Sequence, residues 1–284
     1  MPDETRSRKS RVRTTSSIAF VALFYIASLI GYWWVSSSSE QLPPFDPGPA
    51  DIPVISVDMA ALRTTYNELD VVVLLIPPER FMDKQLGVLN TDMFVRLHPW
   101  VDVGEVKYQA GDTPASENAT VYAGGDADHW PFDDYQTNPL WADVIVGSGD
   151  SQVVMPAEIR FSGGIEGWDI GAEQVSSNPQ TTVLTLNRNR GTLAFDLGVV
   201  LVLITLPALA MIVAIETARN HRKFHPPLTT WFAAMLFAVV PLRNILPGAP
   251  PPGAWIDQAV VLWVLIALVT AMAIYIVAWY RSTD

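Results

Sequence analysis

Pro241-Leu-Arg-Asn-Ile-Leu-Pro-Gly-Ala-Pro-Pro-Pro-Gly-Ala-Trp-Ile-Asp257 sets an arginine, an aspartate and a Pro/Gly corner between two apolar runs. Each run is long enough to cross a bilayer, which takes roughly 17–25 residues for a hydrocarbon core of about 30 Å. Charge at such a boundary is tolerated only when paired or hydrated, and irregular backbone only where protein or water satisfies its polar groups. The stretch therefore reads as an ordered, ion-paired corner at one bilayer surface. An integral membrane protein is the expectation it sets.

Working outward, apolar runs fall at 18–35, 193–215, 228–246 and 258–280 of the 284 residues. They divide the chain into a basic tail (1–17), a first transmembrane helix (18–35) and a polar domain (36–192). A second helix (193–215), a basic loop (216–227), a third helix (228–246), an outer Pro/Gly loop (247–257), a fourth helix (258–280) and a short tail (281–284) follow. The polar domain holds 23 Asp and Glu against 8 Lys and Arg. Cations crowd instead into the tail (Arg6, Arg8, Lys9, Arg11, Arg13) and the loop (Arg219, Arg222, Lys223). Short cation-rich segments stay on the cytoplasmic side. The expected protein is thus multi-pass in a plasma membrane, with cytoplasmic termini and 36–192 extracytoplasmic. The basic start, the apolar run and Val35-Ser-Ser-Ser-Ser also resemble a cleavable signal. Tyr32, Trp33 and Trp34 read as an interfacial belt and favour a retained anchor.

Charge and cysteine content narrow the chemistry. An acidic domain argues against nucleic acid as a partner. Membrane lipid and another envelope membrane protein are the expected partners. The chain has no cysteine, which removes disulfides, thiolate catalysis and Cys-based metal sites.

The polar domain reads as strands. Short β-branched or alternating runs recur at Ile52–Asp58, Asp70–Ile76, Thr91–Leu97, Thr120–Ala123, Ala142–Val146, Glu158–Ser162 and Thr181–Asn187, punctuated by Gly and Pro pairs. Phe81–Leu89 reads as a short helix or a loop. Many strands at this spacing point to an antiparallel sandwich or barrel. The fold class is therefore α+β, an extracytoplasmic antiparallel β-sandwich inserted between transmembrane helix 1 and a three-helix C-terminal membrane block.

Two clusters could carry chemistry. Asp126, Asp128, Asp133 and Asp134 lie in Gly124-Gly-Asp-Ala-Asp-His-Trp-Pro-Phe-Asp-Asp-Tyr135 and could surround a hard cation such as calcium. Their spacing fits no EF-hand loop. The favoured reading has Trp130 and Phe132 plugging the core while the aspartates cap backbone N–H groups. The second cluster is Asp196, Arg243 and Asp257, which the topology puts near the outer ends of their helices. A conduction path needs polar groups through the midplane, and here Thr205 and Thr270 are the main ones. An ionic clasp fits better, because a carboxylate can satisfy a guanidinium in bidentate fashion. No catalytic set is expected: His98 and His129 lack partners at zinc-ligand spacing, and no Gly-x-Ser-x-Gly is present. No cofactor is expected either.

Trp130-Pro-Phe-Asp-Asp-Tyr135, Pro241-Leu-Arg-Asn244, Leu246-Pro-Gly-Ala-Pro-Pro251 and Gly253-Ala-Trp-Ile-Asp257 resemble the bacterial family catalogued as domain of unknown function 4436. The resemblance runs over nearly the whole chain. It implies an envelope membrane protein and supplies no catalytic residues. A narrower likeness confines itself to Pro131-Phe132-Asp133 before a helical membrane block, which is similar to the pentameric ligand-gated ion channels. It implies a loop, Trp130 to Asp133, that couples a β domain to helices. The expected function is a non-catalytic accessory, assembly or sensing protein of the bacterial envelope. A ligand-gated channel or receptor is the first alternative, and an enzyme acting on an envelope lipid or glycan the second.

Overall fold

The computed structural model describes residues 25–26, 29–31, 33, 41–44, 51–83, 85–99, 105–176, 178–219, 227–246, 248 and 250–281. Within the expected first span, residues 25, 26, 29–31 and 33 are helical, and the rest of 18–35 lies outside the described residues. The basic tail and the cations Arg222 and Lys223 also lie outside them.

Among the described residues, thirteen strands build the polar domain. They are β1 (Val54–Arg63), β2 (Glu68–Ile76), β3 (Met82–Asp83), β4 (Val88–Leu89), β5 (Met93–His98), β6 (Glu105–Tyr108) and β7 (Glu117–Gly125). After these come β8 (Asp134–Thr137), β9 (Trp141–Val146), β10 (Val153–Pro156), β11 (Glu158–Ser162), β12 (Trp168–Val175) and β13 (Asn178–Arg188). A seven-stranded sheet runs β11-β1-β2-β7-β8-β13-β12, and a four-stranded sheet runs β10-β9-β5-β6. Side chains from both sheets meet in one core, among them Leu69, Val73, Met93, Val95, Val144 and Leu186.

Side-chain alternation sets the strands. In β2, Leu69, Val71, Val73 and Leu75 turn inward while the residues between them stay half-exposed, the period-2 signature of a strand with one buried face. Asn67 closes the β1–β2 connection at φ 56°, a left-handed geometry that asparagine tolerates better than most residues. The sheet is not wholly antiparallel as expected: β11 pairs β1 in parallel, from Val54↔Glu158 to Asp58↔Ser162. Parallel neighbours need a long crossover, and here the rest of the domain supplies it. Phe81–Leu89 is neither helix nor plain loop. A single 3₁₀ turn, Glu79–Phe81, leads into the two-residue hairpin of β3 and β4.

Three helices follow: α1 (Arg190–Ala218), α2 (Pro227–Asn244) and α3 (Leu262–Arg281), the last entered through a π-helical turn, Asp257–Val261. Two stretches, Arg190–Ala218 and Asp257–Arg281, are long and apolar enough to cross a membrane. Their shared core holds Ala210 and Ala214 of α1, Phe232 and Val239 of α2, and Leu268, Ala271 and Tyr275 of α3. Small residues at such a contact let helix backbones approach closely.

Candidate functional site

The domain and the helices join at Arg188. This residue ends β13, and Asn189 then caps α1 by accepting a hydrogen bond from the Thr192 backbone N–H at 2.8 Å. Strand register sets Arg188 opposite Trp168 of β12, and its guanidinium lies 4.8 Å from the Trp168 ring centre. Trp168 in turn meets Tyr135 edge-on at 5.4 Å. Arg188 therefore leaves the sheet already stacked on an aromatic face, pointing at the helices.

Its partners come from three separate segments. Nε donates to Asp133 Oδ1, and Nη2 donates to Asp133 Oδ2 at 3.1 Å, a two-pronged contact. Nη2 also donates to the Gly248 carbonyl at 3.3 Å. Nη1 lies 3.8 Å from Asp196 Oδ2, beyond hydrogen-bond range. The three charged side chains are almost fully withdrawn from solvent, at 3 %, 1 % and 0 % exposure for Arg188, Asp133 and Asp196. Tyr135 completes the arrangement by donating its hydroxyl to Asp133 Oδ2 at 3.1 Å. Burial first, and then the Asp133 carboxylate, push the Tyr135 phenol well above its ordinary range. Gly248 sits at φ 56°, and a Cβ there would press on the Arg188 guanidinium, so glycine suits the position on both counts.

Sequence reasoning did not single out Arg188. The usable signal was the strand end running directly into a capped helix, with Asp133 and Asp196 both needing a cation. Asp196 accordingly faces Arg188, not Arg243, and among the described residues its two oxygens accept no hydrogen bond.

Arg243 has a different carboxylate. Its Nε donates to Asp257 Oδ1 at 3.0 Å and its Nη2 to Oδ2 at 2.9 Å. The same Nη2 reaches the carbonyls of Pro250 and Pro251 at 2.8 and 3.2 Å, and Gly253 N–H donates to Asp257 Oδ2 at 3.0 Å. The Pro251 carbonyl also accepts from the Ala254 backbone N–H at 3.1 Å, so the guanidinium and this turn together fix the Pro/Gly corner. The clasp is two separate units: Arg188 with Asp133 and Asp196, and Arg243 with Asp257.

The loop from Trp130 to Asp133 lies between the two units. Trp130 is fully buried, but not in the core of the sheets as expected. It packs with Leu246, Ala254 and Ile256, against Val199, Val200 and Val260, at the end of the helix block. Trp255 Nε1 donates to the Trp130 carbonyl. Phe132 also departs from the expected core plug, with 63 % of its surface exposed. The Trp130–Pro131 peptide is cis. Burial of the Trp130 indole among helix residues anchors the sheets to the helices, since truncating a buried tryptophan costs about 3–5 kcal/mol.

The acidic loop does not converge on a cation. Asp126 Oδ1 accepts from the Asp128 backbone N–H at 3.0 Å, and its Oδ2 meets His129 Nδ1 at 2.8 Å. Asp128 and Asp134 face solvent, and Asp133 belongs to Arg188. Among the described residues no group of three or more His, Asp or Glu side chains has metal-holding geometry.

Residues 43–187, just over half of the chain, match the family model described as Domain of unknown function (DUF4436). Residues 188–282 match the model described as Domain of unknown function (DUF8686). The chain matches no curated protein. The two matched regions meet between Asn187 and Arg188, so the Arg188–Asp133 pair ties one to the other across their boundary.

Proposed function

The chain belongs to the DUF4436 family, and we propose that it is a multi-pass protein of the bacterial plasma membrane that carries an acidic two-sheet sandwich outside the cytoplasm. In this reading it is a non-catalytic accessory, assembly or sensing factor for another envelope membrane protein. The observation that carries the reading is the buried Arg188–Asp133 pair beside Asp196. In this reading the network serves to fix one geometry more than to add stability. A domain fixed in orientation on its helices suits a surface presented to a partner at a constant height above the bilayer.

Outward-facing side chains support the membrane part. Leu201, Ile212, Trp263 and Val269 expose about half or more of their surface along α1 and the Asp257–Arg281 stretch. Lipid would cover them, whereas water would leave a large apolar patch. The cation-rich tail and loop support cytoplasmic termini.

Two measurements test this. The natural chain lacks thiols, so Ser116→Cys, at an exposed position of the domain, reports sidedness without background. Labelling in intact cells by a membrane-impermeant maleimide is expected; labelling only after permeabilisation overturns the orientation. Native purification followed by mass spectrometry is expected to recover a membrane protein in fixed stoichiometry. A pentamer of this chain with ion flux in liposomes would establish the channel alternative instead. A co-purified glycolipid that turns over would establish the enzyme alternative.

A further inference from the structure

We infer that Phe132 and Trp255 form an interfacial wedge that enters the boundary between lipid headgroups and acyl chains, so that the β domain touches the bilayer itself as well as the helices. The inference rests on the membrane-spanning reading of α1 and α3.

The argument begins with contrast along four residues. Trp130 and Asp133 are buried, yet Phe132 between them is exposed at 63 %. Its turn is held: Phe132 N–H donates to the His129 carbonyl at 2.9 Å, Trp130 is locked among helix residues, and Asp133 is gripped by Arg188. An outward phenyl on so constrained a turn is a fixed feature of the surface. Trp255 belongs to the same loop contact, because its Nε1 donates to the carbonyl of Trp130, two residues before Phe132. That bond uses the only polar group of the indole, and 41 % of Trp255 faces outward as hydrocarbon ring.

Depth follows from the charge network. Arg188 holds Asp133 and also lies 3.8 Å from Asp196, so Phe132 sits near the level of Asp196 on α1. Phe195 and Leu197 flank Asp196 and expose 45 % and 49 % of their surface. They begin the apolar exterior of α1, at the level of the charge network that the neighbour of Phe132, Asp133, joins. Exposed aromatic rings at this level, next to arginine and aspartate, have the composition of a membrane–water interface. The occupant is therefore lipid.

The test uses the full chain reconstituted in phosphatidylcholine–phosphatidylglycerol vesicles, with single nitroxide labels on Phe132→Cys, Trp255→Cys, Leu201→Cys and Tyr66→Cys. Tyr66 lies in the β1–β2 connection and is 70 % exposed, and Leu201 is 65 % exposed on α1. The label at 132 is expected to collide with oxygen at least about threefold more, relative to a water-soluble nickel chelate, than the label at 66. It should be shallower than the label at 201. A label at 132 as wet as that at 66, with 201 in lipid, overturns the wedge and leaves the spanning helices standing. Labels at 132 and 201 that are both wet remove the membrane reading itself. A label at 132 shielded from both reagents means protein covers Phe132, which also overturns the wedge. Should Phe132→Cys fail to fold, the label at 255 carries the same three outcomes.

Discussion

Arg188 and Asp133, 55 residues apart in the chain, meet in a two-pronged contact with hardly any solvent at either side chain. One belongs to the last strand of the sheets and the other to the loop that inserts into the helix block. Their contact therefore holds the two halves of the molecule in one relative orientation.

Removing the cation should be the most damaging single change at this joint. Arg188→Ala strands two buried carboxylates, and breaking a buried pair costs about 3–5 kcal/mol. Arg188→Lys should recover less than half of the loss, because an ammonium cannot donate along two parallel directions while stacking on Trp168. Thermal melting of the detergent-purified chain measures both. In a double-mutant cycle, Arg188→Ala with Asp133→Ala should cost clearly less than the two single changes added together. Strict additivity would dissolve the pair as an energetic unit.

Asp196 should behave in the opposite way. It is fully buried, its oxygens accept no hydrogen bond from the described residues, and the cation it faces is already engaged by Asp133. A carboxylate so poorly supplied with donors adds little to stability. Asp196→Asn should leave the melting temperature unchanged or raise stability by up to about 2 kcal/mol. Asp133→Asn should lower it. A fall with Asp196→Asn as large as that with Asp133→Asn would mean that the longer contact matters as much as the shorter one.

Arg243 and Asp257 invite a charge reversal. Arg243→Asp and Asp257→Arg should each lower stability, and the two together should recover part of the loss. Full recovery is not expected. An arginine at 257 would abandon the Pro250 and Pro251 carbonyls and the Gly253 N–H that the natural pair satisfies. If the reversed pair is no better than the worse single change, the two residues act through those backbone groups and not through each other.

Alkaline pH should loosen the joint through Tyr135. Its phenol is raised by burial and by Asp133, so the folded chain holds the proton more tightly than the unfolded chain. An unfolded tyrosine ionises near about 10. The stabilisation is therefore complete below about pH 10 and is lost as pH rises from there through the higher folded value. Tyr108, also raised chiefly by burial, contributes in the same direction. Tyr135→Phe should lower stability at neutral pH by about 1–3 kcal/mol through the lost hydrogen bond to a charged group. It should also flatten the decline between pH 10 and 12 on this scale. Denaturant melts at several pH values distinguish the two effects; an unchanged alkaline slope would exclude Tyr135 as its source.

Local pattern carried some of this architecture and long-range pairing hid the rest. Glu158–Ser162 was legible as a strand because it alternates between turn signals, and its observed limits are the same. Trp168–Val175 was not, since Gly171, Glu173 and Gln174 blur its alternation; only its ladder with β13 makes it a strand. Asp134–Thr137 is short and half polar, and it exists because β7 and β13 flank it. At the joint, Arg243 stood out because apolar sequence surrounds it. Arg188 did not, since Asn187-Arg-Asn-Arg190 looks like an ordinary hydrated boundary and both of its carboxylates are contributed by other segments. Trp130 and Phe132 were assigned one role from sequence, and the turn between them sends the rings to opposite environments.

The parallel pairing of β1 with β11 has a consequence for how the chain is made. Ser162 Oγ donates to Asp58 Oδ1 at 3.2 Å across 104 residues, and Leu42 bridges to Gly163 beside it. A chain emerging from its N-terminal end presents β1 long before β11 exists. One edge of β1 then stands open to pairing with other chains until nearly the whole domain has been synthesised. Closure comes only when residues 158–162 have arrived, shortly before α1 enters its final position. Chains halted before Glu158 should aggregate or fall to proteases, whereas chains halted after Arg188, with β12 and β13 also in place, should resist both.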